Sequence, residues 1–383
     1  MTIVYSIAAT HSPGGMERVL ANKANELVRR GHQVIIVTTD QQHKPAYFKM
    51  DTEIRCFDLA INYVEERGKS LFVKTLNYLN KQRVHKARLK DLLLKIRADI
   101  VVSMFDHDAT FLYSIRDGSR KVLEVHFSRF KRIQYSRRGV WGIADRWRSR
   151  QDVRLAERYD RFVVLTEEDK RYWGNVSGIA VIPNANSFVS PRQAPLTAKR
   201  VIAVGRYDYQ KGFDELIEVW SHVHKQYPDW RLDIFGRGPL RNELQRQIEV
   251  LHLDEVVSLR EPVFQIENEY LTSSILAMTS RYEGLPMVLL EAQVCGLPLV
   301  AYACKCGPKD IIRNGENGFL LEEYDKEGMA SKLMLLMENS ELRIQMGEAS
   351  KNRSKIYEKD CIMEQWIRLF DGLNREGEDR GNG

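Results

Sequence analysis

From residue 3 onward the chain keeps returning to one arrangement: a short apolar run, a glycine-containing turn, and a stretch with apolar residues at helical spacing. Residues 3–8 are apolar, residues 10–15 form the turn Thr10-His11-Ser12-Pro13-Gly14-Gly15, and Met16, Val19, Leu20, Ala24, Leu27 and Val28 recur every three or four positions until Gly31. Gly31 suits the end of a helix, and residues 33–38 read as the next strand. A strand, a helix and a second strand joined this way form a βαβ unit, which commits the chain to a parallel sheet covered by helices. Apolar runs at 100–103, 122–125 and 162–165 extend that sheet, and residues 65–97 read as a long basic helical region.

The pattern lapses at 183–200, where Pro183, Asn184, Pro191 and Pro195 stand in a stretch without periodicity and mark a linker. It then restarts with a strand at 201–204, a turn at 205–212, a helix at 213–224 and a strand at 231–235. A helix at 240–251 and strands at 256–259, 275–279 and 299–302 follow. At 383 residues the chain exceeds the roughly 250–300 residues beyond which a single core stops growing. The expected fold is α/β: two doubly wound lobes over 1–185 and 200–355, a closing helix over 356–373 with Trp366 and Phe370, and a disordered tail over 374–383. Ligands of such sheets bind beyond the carboxyl ends of the strands, where the glycine turns lie.

Two turns of the second lobe carry charge. Residues 205–212 read Gly205-Arg206-Tyr207-Asp208-Tyr209-Gln210-Lys211-Gly212. Glycine lets a backbone approach a ligand closely, and Arg206 and Lys211 supply two cations for a diphosphate. Taken alone, the pattern also fits a solvated basic turn. Residues 281–291 set Glu283 and Glu291 eight positions apart, across a strand end, a tight turn and a helix start. Pro286 is tolerated in a first helical turn, and a helix N-terminus offers N–H groups and partial positive charge to a phosphate. Glu283 is expected at the mouth of that seat and Glu291 about two turns inside the helix.

Glu283-Gly284-Leu285-Pro286 with Glu291, then Ala292 and Gly296-Leu297-Pro298-Leu299-Val300, resembles the donor-site signature of retaining family 4 glycosyltransferases of the GT-B fold. The resemblance runs from the first strand to about residue 350 and is strongest over 200–320. It implies two Rossmann-like domains facing across a cleft, with the acceptor in the first, the nucleotide-sugar donor in the second, and the last helix packing back on the first lobe. Glu283 would then face the donor sugar and Glu291 the ribose, while the segment Gly284, Leu285, Pro286, Met287 and Val288 holds sugar hydroxyls and diphosphate. Arg206 and Lys211 would clamp the phosphates and neutralise the departing nucleotide. The loop 260–263, ending at Val263, resembles the one that meets the base.

In the first lobe, Gly14 and Gly15 are by themselves a tight turn, and no G-x-G-x-x-G follows to suggest a nicotinamide cofactor. The resemblance makes this turn, with Met16-Glu17-Arg18 after it, the loop that closes over the donor phosphates and the acceptor. His126 ends the strand Val122-Leu123-Glu124-Val125; a lone histidine is commonly structural. By resemblance it meets the donor sugar, making His126, Glu283, Arg206 and Lys211 the catalytic set. No cofactor beyond the donor substrate and no metal is expected. Cys304-Lys305-Cys306 has no second Cys/His pair beside it. Retention would come from same-face attack assisted by the leaving phosphate.

The net charge of +6 conceals an asymmetry. Residues 1–200 carry 36 Lys+Arg against 21 Asp+Glu, and the remainder 22 against 31, so the first half is the one suited to a polyanion. The densest stretch, 126–161, has eleven basic and four acidic residues interleaved with Phe127, Phe130, Tyr135, Trp141 and Trp147. Basic residues among Trp and Phe suit an interfacial anchor beside anionic lipid; a solvated helix face is the plainer reading. No apolar run approaches the roughly 18–20 residues of a membrane span. Five cysteines form no disulfide framework, and Met1-Thr2-Ile3 enters a strand without a leader. The expected location is cytoplasmic, peripheral to the inner face of the membrane.

The combined expectation is a metal-independent hexosyltransferase moving a hexose or N-acetylhexosamine from a UDP-sugar to a lipid-linked saccharide. Its setting would be capsule, lipopolysaccharide O-antigen or other glycan assembly. Two alternatives stand beside it: a GT-B relative with other chemistry, such as a nucleotide-sugar epimerase or phosphorylase, and a basic nucleic-acid-binding module. The second is disfavoured because the chain shows no nucleic-acid-binding motif. A glycoside hydrolase needs two carboxyls about 5–10 Å apart and has no use for phosphate-binding surroundings.

Overall fold

The apolar runs pair as parallel strands in the computed structural model, which describes residues 1–12, 14–63, 71–131 and 139–381. The chain separates into two units: Met1–Leu165 with Lys170–Ile182 and Asp360–Gly383, and Thr166–Asp169 with Pro183–Lys359. The passage from one sheet to the other falls at Pro183, where the periodicity lapses.

The first unit holds β1 (Thr2–Ile7), β2 (Gln33–Thr38), β3 (Arg55–Asp58), β4 (Ile100–Ser103), β5 (Arg120–Glu124), β6 (Arg161–Val164) and β7 (Ile179–Val181). They lie in the order β3-β2-β1-β4-β5-β6-β7. Val4 sits opposite both Ile35 and Val101. The strand order reverses direction beside β1, which is the switch point of a doubly wound sheet. Helices α1 (Gly15–Arg29), α2 (Leu71–Ile96) and α3 (Gly139–Ala156) connect these strands, and α4 (Glu167–Trp173) follows β6. In α1, Leu20, Ala24 and Leu27 are buried one turn apart, and the chain then turns at Gly31 with φ +82°. The start of the basic helical region, and residues 132–138 of the basic aromatic stretch with Tyr135, fall outside the described residues.

The second unit holds β8 (Arg200–Val204), β9 (Arg231–Phe235), β10 (Val257–Arg260), β11 (Ile275–Met278), β12 (Leu299–Tyr302) and β13 (Gly318–Leu321), ordered β10-β9-β8-β11-β12-β13. Its helices are α5 (Phe213–Gln226), α6 (Arg241–Val250), α7 (Ile266–Leu271), α8 (Met287–Val294), α9 (Pro308–Ile311), α10 (Lys326–Glu338) and α11 (Ser340–Arg353). Leu216, Ile217 and Trp220 of α5 share a core with Leu232 and Ile234 of β9 and Met329 and Leu333 of α10. Every named pairing in both sheets is parallel. Each sheet therefore has all its carboxyl ends on one edge.

The closing helix, α12 (Lys359–Gly381), belongs to the first unit. Trp366 and Phe370 are buried there, with Lys23 Nζ 3.8 Å from the Trp366 ring centroid. The helix does not give way to a disordered tail after Leu373 but continues to Gly381. Asn374 to Arg380 contains no proline, and Glu376 pairs with Arg161.

Candidate active site

The loop after β8 is shaped by two close approaches. Gly212 ends it with φ +61°, and a Cβ there would lie 2.3 Å from the Thr279 carbonyl oxygen. Thr279 Oγ1 in turn donates to the Gly212 carbonyl at 2.8 Å. At the other end, a Cβ on Gly236 would lie 1.8 Å from the Gly205 oxygen. Only glycine fits either place, so the loop is clamped between the carboxyl ends of β9 and β11. Tyr207 is buried beneath it and donates to both the Ile234 and Arg260 carbonyls (2.8 and 2.7 Å), with burial pushing its phenol up to about 12.

This clamping brings Lys211 to Glu283. Lys211 Nζ lies 2.6 Å from Glu283 Oε1, with the two side chains 18% and 7% exposed. Gln210 Nε2 donates to the other oxygen of Glu283 at 3.3 Å and to the Tyr282 carbonyl at 3.0 Å. The Glu283 N–H donates to the Lys305 carbonyl at 3.2 Å. Arg206 behaves differently: its side chain is 76% exposed and lies 3.1 Å from the nearby Asp208. The site therefore holds one cation already paired and a second displayed to solvent.

Glu283 leads through Gly284 and Leu285 into α8, whose N-cap is Pro286. Gly307 packs so tightly on Pro286 that a Cβ there would lie 2.3 Å from Pro286 Cδ. Met287 and Val288 are half-buried where Leu289 and Leu290 are fully buried, so the first turn of α8 is the part nearest solvent. Glu291 is buried and accepts from the Tyr270 hydroxyl at 3.1 Å. It is the fifth residue of α8, one turn in rather than two, because the helix starts only at Met287. Val263, in the loop after β10, is 40% exposed, and the adjacent Phe264 is 97% exposed. The signal for Phe264 in the sequence is an aromatic residue next to Val263, in a loop at the sheet's carboxyl edge.

The remaining expected residues lie in the first unit. Gly14 caps α1 and Gly15 opens it, both beyond the carboxyl end of β1. His126 follows β5 and is 8% exposed, with Nε2 3.0 Å from Glu124 Oε1. An Asp-x-Asp triplet, Asp106-His107-Asp108, follows β4. Its carboxylates do separate things: Asp106 accepts from the His107 N–H at 2.8 Å, while Asp108 is buried. Burial, with the Asp106 charge, pushes the Asp108 carboxyl up to about 7. Cys304 and Cys306 are both buried in the second unit, with Cys306 Sγ 3.2 Å from Asp169 Oδ1.

In the basic stretch, α3 inverts the usual pattern. Asp145, Ser149 and Asp152 face inward, whereas Ile143, Trp147, Arg150 and Arg154 form an exposed stripe at i, i+4, i+7 and i+11, with Arg146 beside it. Ile143 and Trp147 are 67% and 61% exposed. Phe127 and Phe130 instead pack on Phe105 and Tyr172. Among the described residues no helix is long and apolar enough to cross a membrane.

Known proteins share this architecture. The sequence profile of the family described as "Glycosyl transferases group 1" matches residues 187–353, and that of "Glycosyltransferase Family 4" matches residues 13–185. An uncharacterized glycosyltransferase of Haemophilus influenzae is 30% identical over 369 residues, covering 93% of this chain and 96% of that one. A Campylobacter jejuni protein, GalNAc-alpha-(1->4)-GalNAc-alpha-(1->3)-diNAcBac-PP-undecaprenol alpha-1,4-N-acetyl-D-galactosaminyltransferase, is 24% identical over 379 residues, covering 95% and 97%. A crystal structure of mutant S. aureus TarM in complex with Fondaparinux, alpha-GlcNAc-glycerol and UDP superposes with a TM-score of 0.74 at 17% identity, covering 96% of this chain and 99% of that one. That last likeness is one of fold.

Proposed function

Because the chain belongs to the GT-B glycosyltransferases, a family 4 domain followed by a group 1 domain, we propose that it moves a hexose or N-acetylhexosamine from a UDP-sugar to a lipid-linked saccharide in bacterial glycan assembly, with retention and without a metal. The observation that carries this is the juxtaposition of Lys211, Glu283 and the first turn of α8, with Arg206 displayed beside them. Charge develops on the leaving diphosphate as the glycosidic bond breaks, and cations already in place stabilise it without reorganisation. Lys211 and Arg206 take that role, and the N–H groups of Met287 and Val288 add to it. Glu283 receives sugar hydroxyls, Glu291 the ribose, and Val263 lies against the base. Gly14 and Gly15 let the first unit's loop approach phosphate and acceptor, and His126 meets the sugar.

The acceptor class draws on the Campylobacter relative, whose name specifies an undecaprenyl diphosphate-linked saccharide. The exposed Ile143–Trp147–Arg150–Arg154 stripe supports attachment to the anionic membrane surface where such acceptors reside. The test is a panel of UDP-sugars offered with a lipid-linked saccharide, followed by NMR of the product's anomeric centre. One sugar transferred with retention in EDTA is expected. Inversion, an EDTA-dependent rate, or sugar epimerisation without acceptor would each overturn this reading.

A further inference from the structure

Glu124 is the last residue of β5 and His126 stands two positions on, so both side chains leave the extended chain on the same face. A single carboxylate oxygen of Glu124, Oε1, has two neighbours: Lys23 Nζ of α1 at 2.5 Å and His126 Nε2 at 3.0 Å. Lys23 is itself buried, with its ammonium over the Trp366 ring of α12 at 3.8 Å and 5.7 Å from the Tyr5 centroid. Burial alone would push the Glu124 carboxyl up, but Lys23 and then His126 hold it down at about 2. Burial also lowers Lys23. A buried ion pair is poor value for stability, since packed apolar side chains fill the same space at less cost. Its use here is at His126. Among the described residues His126 Nε2 has no aligned hydrogen-bond partner, so its 3.0 Å approach to Glu124 is a contact of charge; a carboxylate that close still favours a ring proton on Nε2, leaving Nδ1 as the nitrogen available to a ligand.

We propose that Glu124 is a positioning residue for His126, and that Lys23 and Trp366 hold the Glu124 carboxylate in place for that purpose. The proposal rests on the reading of His126 as the side chain that meets the donor sugar. It extends the site to the closing helix: α12 contributes Trp366, which covers the lysine that anchors the carboxylate.

The test uses the full chain and four variants: His126→Ala, Glu124→Gln, Glu124→Gln with His126→Ala, and Lys23→Met with Glu124→Gln. The last removes both buried charges and replaces Glu124→Gln wherever the single variant fails to fold. Ring 15N spectroscopy reads the tautomer, calorimetry reads UDP affinity, and steady-state kinetics separates kcat from KM. Wild type should carry the His126 proton on Nε2, and Glu124→Gln should shift a measurable share to Nδ1 with UDP affinity unchanged. Glu124→Gln and His126→Ala should each lower kcat on the order of a hundredfold, the lower end of what a positioned side chain contributes, and the double variant no further. Multiplying losses, an unmoved ring proton, or wild-type kcat in Glu124→Gln would overturn the proposal while leaving His126 in the site. Wild-type kcat in His126→Ala would instead remove His126 from the chemistry, and the proposal with it.

Discussion

Glu283 and Lys211 should respond to mutation with opposite signs in UDP binding. Before donor arrives, Lys211 is paired with Glu283 at 2.6 Å. A unit-charge pair at that separation is worth about 1.6 kcal/mol in water and about 6 kcal/mol at an effective dielectric near 20. Lys211 retains 18% exposure, so solvent screens the pair and the lower part of that range applies. Removing the glutamate charge frees Lys211 for phosphate, and Glu283→Gln should tighten UDP binding by about 1–2 kcal/mol, roughly 5- to 30-fold in Kd. The same substitution should lower kcat, because the side chain that faces the sugar has lost its charge. Lys211→Met should weaken UDP and cut turnover on the order of 10²-fold or more, as loss of an electrostatic stabiliser does. Calorimetry with UDP in EDTA, beside turnover, reads both. If Glu283→Gln weakens UDP or leaves its affinity unchanged, the glutamate is not the counter-charge of the phosphate cation and the reasoning fails.

Arg206→Ala should cost on the order of 10²-fold in turnover with no measurable change in Tm, since its exposed pair with Asp208 is worth about 0–1 kcal/mol; wild-type turnover would refute its role. Replacing Arg150 and Arg154 with Gln should weaken binding to anionic vesicles about 30-fold, at about 1 kcal/mol per arginine near the surface. Trp147→Ser should lower binding at high salt as well, and unchanged flotation of both variants would exclude α3. Asp108 has a folded value raised from 3.8 to about 7, so its contribution is fully favourable below its unfolded value and is lost as pH rises through about 7. Asp108→Asn should accordingly stabilise the fold at pH 8 by on the order of 4 kcal/mol, read as a higher Tm, and change Tm little at pH 4; equal effects at both values would contradict this.

Most of the conformation of the loop after β8 was legible because its constraints are local. Glycines at 205 and 212 around two cations, after an apolar strand and before an amphipathic helix, leave few other conformations. Strands β2, β4 and β12 fall at the expected residues because each is a nearly continuous apolar run, and β9 does so with Leu232, Ile234 and Phe235 around Asp233. By contrast β3 is exposed along its length and reads Arg55-Cys56-Phe57-Asp58, so no hydrophobic period announced it. The inversion of α3 was hidden for a related reason: Asp145 and Asp152 are buried while an apolar Trp147 is left outside, the reverse of what a hydrophobic period announces. Lys23 and Glu124, 101 residues apart, meet only once β1, α1 and β5 are in place. Spacing along the chain cannot express such a pair.

The central claim, that a nucleoside diphosphate is seated between Lys211, Arg206 and the start of α8, is tested most directly by a crystal structure of the chain with UDP. The account predicts the β-phosphate within hydrogen-bonding distance of Lys211 Nζ and of the first turn of α8, with the ribose at Glu291. UDP bound elsewhere, or a Lys211–Glu283 pair left undisturbed with UDP present at saturation, would contradict it.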